Sequence, residues 1–151
     1  MRAVVQRVAC GCVSLAESGE ITGRISRGLL VLLGVSKHDT AEDAEYIVRK
    51  VLDMRVFDDA AGKMNLNIAE ADGEILVVSQ FTLYGDMRKG RRPSFDLAAA
   101  PADAEHWYQE VVRKISNAGI RCATGRFRAM MNVELVNDGP VTVLLDSGRI
   151  F

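Results

Sequence analysis

At 151 residues the chain fits one domain, residues 1–151, long enough to bury a sizeable core and too short to divide comfortably in two. Its 48% hydrophobic and 26% charged residues are those of an ordinary globular protein, and a net charge of −1 argues against coating nucleic acid by global electrostatics. The longest apolar run, Leu29 to Leu33, falls far short of the roughly 20 residues a membrane span needs. Arg2 and Arg7 bracket too brief an apolar stretch for a secretory signal, so no membrane partner and a cytoplasmic location are expected.

The N-terminal third alternates in the manner of strands. Ala3 to Val8 and Val13 to Ala16 precede a turn at Ser18-Gly19, Ile21 to Ile25 follows, and Ser26-Arg27-Gly28 leads into the apolar run that ends at Gly34. This order suggests an antiparallel meander. Thr40 reads as the N-cap of a helix that carries Ala44, Ile47, Val48, Val51 and Leu52 on one face. Asp58 to Gly62 is a turn, and Ala71-Asp72-Gly73 closes a loop before a buried strand at Ile75 to Val78. A second helix begins near Pro101, aligns Ala104, Trp107, Tyr108, Val111, Val112 and Ile115, and ends at Asn117-Ala118-Gly119. Two more strands, Met130 to Val136 and Val141 to Leu145, flank Gly139-Pro140. Helices occurring singly between groups of strands predict an α+β fold, a largely antiparallel, barrel-like sheet with two main helices.

Cys10, Cys12 and Cys122 form an odd set with no disulfide spacing, and His38 and His106 lie in unrelated surroundings, so neither a metal site nor a cofactor is expected. Trp107 and Tyr108 read as core residues, His106 as facing solvent beside them, and His38 as part of a polar loop. No Gly-x-Ser-x-Gly elbow, His-Glu-x-x-His or Walker loop is present, and a Ser-His-Asp triad has little to be built from.

Two segments stand apart from ordinary strand sequence. Ser79-Gln80-Phe81-Thr82-Leu83 follows an apolar strand with two hydroxyls and an amide around one ring. Asn137-Asp138-Gly139-Pro140-Val141-Thr142 places a residue without Cβ and one without N–H inside a sheet, which brings bare backbone close to a ligand. Between Asp86 and Arg92, the residues Arg88, Lys89, Arg91 and Arg92 form the densest basic run. It reads either as a solvated loop or as a phosphate-contacting one, and its place just after Leu83 favours the second.

These two segments resemble the signatures of the D-aminoacyl-tRNA deacylases, matching SQFTL and NxGPVT. The start Met1 to Val8, the run Gly28 to Val35, Gly62 to Asn67 and Arg91-Arg92-Pro93-Ser94-Phe95 are similar to the same family in the same order. The resemblance implies hydrolysis of the ester joining a D-amino acid, or glycine, to the 3′ end of tRNA, in a homodimer. It implies catalytic roles for Ser79, Gln80, Phe81 and Thr82, and substrate contacts from Leu83, Asn137, Gly139, Pro140, Val141, Thr142 and Arg7. tRNA contacts would come from Arg88, Lys89, Arg91 and Arg92. In the family the Gly-Pro bond is cis and enters the opposite subunit's site, where its carbonyls exclude an L side chain by clash. Arg7 would help fix that loop.

An aminoacyl ester is already activated, so orientation and backbone N–H donors to the oxyanion can carry much of the catalysis. Thr82 is the one plausible side-chain nucleophile, but no base stands beside it in sequence, which favours a positioning role; in the family the ribose 2′-OH of the tRNA assists. The chain departs from the pattern in a longer, more polar Cys10 to Glu20 turn region, in Tyr84-Gly85-Asp86 and in a tail reaching Phe151. Three other readings stay open: a paralogous deacylase acting on L-aminoacyl mischarged tRNA with a trans Gly-Pro, a non-catalytic nucleic-acid-binding module using Arg88 to Arg92, and a purely structural dimer.

Overall fold

A computed structural model describes residues 1–150, and Phe151 lies outside the described residues. The backbone runs β1 (Arg2–Leu15), β2 (Ile21–Ile25), β3 (Gly28–Gly34), α1 (Ala41–Asp53), β4 (Phe57–Asp58), β5 (Met64–Leu66), β6 (Glu74–Ser79), a 3-10 helix (Phe81–Tyr84), α2 (Pro101–Asn117), β7 (Cys122–Thr124) and β8 (Met131–Asp146).

β1 organises the sheet because its two edges are used differently. Along one edge it pairs antiparallel with β8 over nearly its whole length, and along the other with β3 near its start and β2 near its end. β2 and β3 therefore lie end to end beside one strand, and the expected meander is corrected: β3 pairs with β1 and not with β2. The Cys10 to Glu20 region is likewise strand as far as Leu15, with the reversal confined to the few residues that follow. β6 adds parallel to β3 and β7 parallel to β6, so the sheet is mixed. Each parallel pair is joined by a helical crossover, α1 in the first case and α2 in the second, as parallel neighbours require. β7 comes back against β2, where a Cβ added to Gly23 would lie 2.5 Å from the Thr124 carbonyl oxygen, and the barrel is nearly closed.

The apolar runs of β3 and β6 are continuous because both faces are covered. Leu29, Val31, Leu33, Ile75 and Val77 pack outward under Ala44, Ile47 and Val51 of α1 and Tyr108, Val111 and Ile115 of α2. Leu30, Leu76 and Val78 face inward to Val8, Val13 and Ile25. Each fully buried side chain of this size contributes about 1.5–3 kcal/mol relative to exposure. β1 changes face partway: an extra residue between Val8 and Cys10, opposite Asn137 and Val136, shifts the alternation so that Val8 before it and Val13 after it both point inward.

Helix α1 opens on Thr40, whose backbone N–H and hydroxyl both donate to Asp43, at 2.8 and 2.9 Å. Burial alone would raise the Asp43 carboxyl, but hydrogen bonds from Ser147 and Thr40 outweigh it and hold the group below its ordinary value. On α2 the Tyr108 hydroxyl donates to the Val77 carbonyl at 2.9 Å, and burial pushes the phenol well above its usual range. Trp107, read as core, packs half-buried against the core's edge and stands edge-on to the exposed His106.

Candidate active site

β6 ends at Ser79 because Gln80 turns away after one last bond, from its N–H to the Leu33 carbonyl at 2.7 Å. Gly34 permits the tight turn that follows. A Cβ there would lie 3.0 Å from the Gln80 carbonyl oxygen and 3.1 Å from the Leu83 Cβ, so the 3-10 helix rests directly on the β3 backbone. Within the turn, Leu83 N–H donates to the Gln80 carbonyl at 3.3 Å and Gly85 N–H to the Thr82 carbonyl at 2.9 Å. The N–H groups of Phe81 and Thr82 open the helix, where no intrahelical acceptor exists. The Gln80 side-chain amide donates to the Thr82 hydroxyl, so amide and hydroxyl act as one unit.

Ser79, Gln80, Phe81 and Thr82 together line a cleft of about 640 Å³. Leu83 does not line it; it is half-buried against Gly34. The opposite wall is one that the sequence reading left out: Phe127, Arg128, Ala129 and Met130 from the segment before β8, with Ala98, Ala99 and Pro101 at the start of α2. A sequence signal existed in Arg126-Phe127-Arg128, a ring between two guanidinium groups, followed by two methionines. Met130, 81% exposed, is a large apolar side chain at the rim of a cleft rather than in the core. Neither histidine lines the cleft, and both are exposed. Among the described residues no group of His, Cys, Asp or Glu is placed to hold a metal ion.

Asn137, Gly139, Pro140, Val141, Thr142 and Arg7 form a second group, and none of them lines that cleft. The expected pair of strands is one strand, β8, paired to β1 on both sides of an excursion: Gln6 faces Thr142 and Val8 faces Asn137, which leaves Asp138 to Val141 opposite Arg7 alone. The Asn137 side chain closes the base of this loop, accepting from Val141 N–H at 3.1 Å and donating to the Val141 carbonyl at 3.2 Å. Gln6 reaches the Thr142 hydroxyl at 3.1 Å. Arg7, only 7% exposed, lies beneath the loop. Its Nε donates to the Asp138 carbonyl at 3.2 Å and its Nη1 to the Val56 carbonyl at 2.6 Å, with the Asp58 and Asp138 carboxylates beside it. Gly139 and Pro140 are left exposed, and the bond between them is cis. At Gly139, with φ of 124°, a Cβ would meet Val141 at 2.7 Å and Arg7 at 3.0 Å.

The basic run forms a hairpin-like loop closed by reciprocal bonds between Asp86 and Ser94, at 2.8 and 3.0 Å. Arg88 folds back on Asp86, its Nη2 at 2.6 Å and Nε at 2.9 Å. Hydrogen bonds from the Arg88 side chain and backbone hold the Asp86 carboxyl down at about 2. Lys89, Arg91 and Arg92 are exposed. The loop is joined to the cleft by Phe95, whose ring stands edge-on to Phe81 at 5.0 Å.

A nearly closed mixed sheet with two helices and a cleft at the end of β6 defines an α+β protein whose site is built from backbone and hydroxyl groups. A family model described as D-Tyr-tRNA(Tyr) deacylase matches residues 4–146. The chain belongs to this family, and it is a hydrolase. It is 55% identical over 151 residues, all of both chains, to the D-aminoacyl-tRNA deacylase of Koribacter versatilis (strain Ellin345). It is 53% identical, again over all of both chains, to that of Clostridioides difficile (strain 630). Among solved structures, the "c-Myc DNA Unwinding Element Binding Protein" superposes with a TM-score of 0.90 at 41% identity, covering 97% of this chain and 98% of that one. A "probable eukaryotic D-amino acid tRNA deacylase" shares the fold with a TM-score of 0.83 at 19% identity, covering 95% and 97%.

Proposed function

We propose that this chain hydrolyses the ester between a D-amino acid, or glycine, and the 3′ end of tRNA, in the cytoplasm and as a homodimer. The observation that carries the reading is the separation of the two motifs: the Ser79–Thr82 cleft and the exposed Gly139–Pro140 loop stand apart on one chain. In a pair of chains the loop of one serves the cleft of the other. An edge strand as long as β8, with Val136 and Leu144 exposed at 54% and 56%, supports pairing through that edge.

In the reaction, water attacks the ester carbonyl and the electron pair moves onto its oxygen. The Phe81 and Thr82 N–H groups offer donors to that oxyanion, with the Gln80–Thr82 pair orienting the ester. Collapse breaks the bond to the ribose oxygen, which takes a proton and leaves as the tRNA 3′ end. Among the described residues that line the cleft there is no histidine or carboxylate to act as a base, and assistance from the ribose 2′-OH fits that arrangement. Chiral selection rests on shape: the Gly139–Pro140 backbone, braced by Arg7 and Asn137, stands where an L side chain would project, and a D side chain or glycine passes. Lys89, Arg91 and Arg92 meet tRNA phosphates.

The test is deacylation of D-tyrosyl-, L-tyrosyl- and glycyl-tRNA at enzyme concentrations far below substrate. Loss of the D- and glycyl esters with the L-ester intact is the expected result. Cleavage of the L-ester would instead point to the paralogous activity. Salt-dependent tRNA binding without turnover would favour a nucleic-acid-binding module, the reading that the DNA-element-binding relative and the basic loop bring to mind.

A further inference from the structure

Arg2 opens the first strand, far in sequence from the cleft, and still touches the turn that carries it. Its Nη1 donates to the Leu83 carbonyl at 3.2 Å, its Nε to the Asp146 carboxylate at 2.9 Å, and its guanidinium carbon lies 4.7 Å from the centre of the Tyr84 ring. Asp146 and Tyr84 are both buried, at 5% and 7% exposure, so the contact has a fixed floor and a fixed anchor. We propose that Arg2 is a positioning residue for the reaction, one that sets the Phe81–Tyr84 turn, and with it the Phe81 and Thr82 N–H groups and the Gln80–Thr82 pair, against the cleft.

The physical need for such a residue follows from the turn itself. A four-residue 3-10 helix holds itself by very few bonds, so its conformation depends on ties to its surroundings. At its start the tie is Gln80 N–H to Leu33, and along its side Gly34 gives a flat floor. At its end the carbonyls point out of the helix without intrahelical donors, and a cation there satisfies one of them and complements the local dipole. Arg2 supplies that cation. The planar fork of guanidinium can hold a carbonyl and a carboxylate in two directions while lying over a ring, an arrangement that lysine's compact ammonium reproduces only in part. The last strand enters too: Asp146 closes β8, so one side chain ties the first strand, the last strand and the motif together.

This inference deepens the deacylase reading and rests on it for the reaction, but its structural claim can be tested separately. Arg2→Met and Arg2→Lys would be compared with the unchanged protein by amide hydrogen exchange and by D-tyrosyl-tRNA turnover. The Leu83 and Gly85 amides, which close the turn, should exchange about tenfold faster or more in Arg2→Met, while amides in the centres of β3 and β6 keep their rates. Turnover should lose about tenfold or more in kcat with KM within about twofold, and Arg2→Lys should recover only part of it. Should Arg2→Met fail to fold, Asp146→Asn carries the same expectations in weaker form, because it loosens the anchor and leaves Arg2 in place. Unchanged exchange at Leu83 and Gly85 would overturn the proposal whatever the activity. Parallel acceleration throughout the sheet, with full recovery by lysine, would also overturn it and leave Arg2 a general stabiliser. If the unchanged protein cleaves none of the esters, the deacylase reading fails, and the exchange result still decides whether Arg2 holds the turn.

Discussion

At the scale of single residues, Thr82 and Cys122 have reactive atoms whose surroundings decide what they can do. The Thr82 hydroxyl accepts from the Gln80 amide and has no histidine or carboxylate among the residues that line the cleft with it. A hydroxyl without a base is a poor nucleophile but a good orienting group. Thr82→Ala should therefore keep kcat within about tenfold of the unchanged enzyme; loss on the order of 10⁴-fold would make Thr82 the nucleophile. Single-turnover kinetics with D-tyrosyl-tRNA measures it directly. The cysteines offer a second contrast. Burial pushes the Cys122 thiol up to about 11, against a small lowering by Ser116, so very little thiolate exists near neutrality. Cys10 is exposed. Iodoacetamide at pH 7.5 should label Cys10 well before Cys122, as read by peptide mass spectrometry, and deacylation should survive that labelling. Activity lost in step with Cys10 alkylation would restore a functional thiol.

Elements were legible in the sequence to the extent that their patterns were local. The two helices announced themselves through Thr40, Pro101 and their apolar stripes, and β3 and β6 through short unbroken apolar runs bounded by turn residues, a pattern that suits strands covered on both faces. What could not be read was pairing. β2 and β3 share one edge of β1, and the β8 excursion joins what read as two strands, because register depends on contacts between residues far apart in the chain. The cleft's second wall was missed for a related reason: Phe127 to Met130 meets Ser79 to Thr82 only after α2 and β7 have been placed. The basic loop shows how structure sharpens a composition argument. Of its four cations, Arg88 is bound to Asp86, and that pair persists at neutral pH. The depressed Asp86 value means the tie is present above the ordinary carboxylate value and is lost only as pH falls toward about 2. Alanine at Lys89, Arg91 or Arg92 should each lower the salt slope of tRNA binding by about 0.7–0.9, and alanine at Arg88 by less. Filter binding between low and moderate salt, repeated at pH 6 and 8 with no expected difference, checks both statements. Equal slopes for all four variants would mean that Arg88 leaves Asp86 to reach phosphate.

On the scale of the whole molecule, one chain keeps the Ser79–Thr82 cleft and the Gly139–Pro140 loop apart, for no residue of the loop lines the cleft. The cleft and the loop are each well braced, the first by Leu33 and Gly34 and the second by Arg7 and Asn137. If pairing of chains joins them, damage to one half should be repairable by a partner carrying the other. Gly139→Ala places a Cβ against Val141 and Arg7 and should disable the loop, while Phe81→Ala with Gln80→Ala strips the cleft. Each variant alone should lose chiral deacylation. Mixed, unfolded and refolded together, they should recover up to about a quarter of the unchanged activity, because half of the dimers are mixed and each of those has one intact site. A Val136→Lys change, which puts a charge on the exposed face of β8, should shift sedimentation toward the monomer and abolish the recovery. Recovery absent from a mixture that sedimentation shows to be dimeric would place both motifs in service of one chain's own cleft, and the Gly139–Pro140 loop would then need another role.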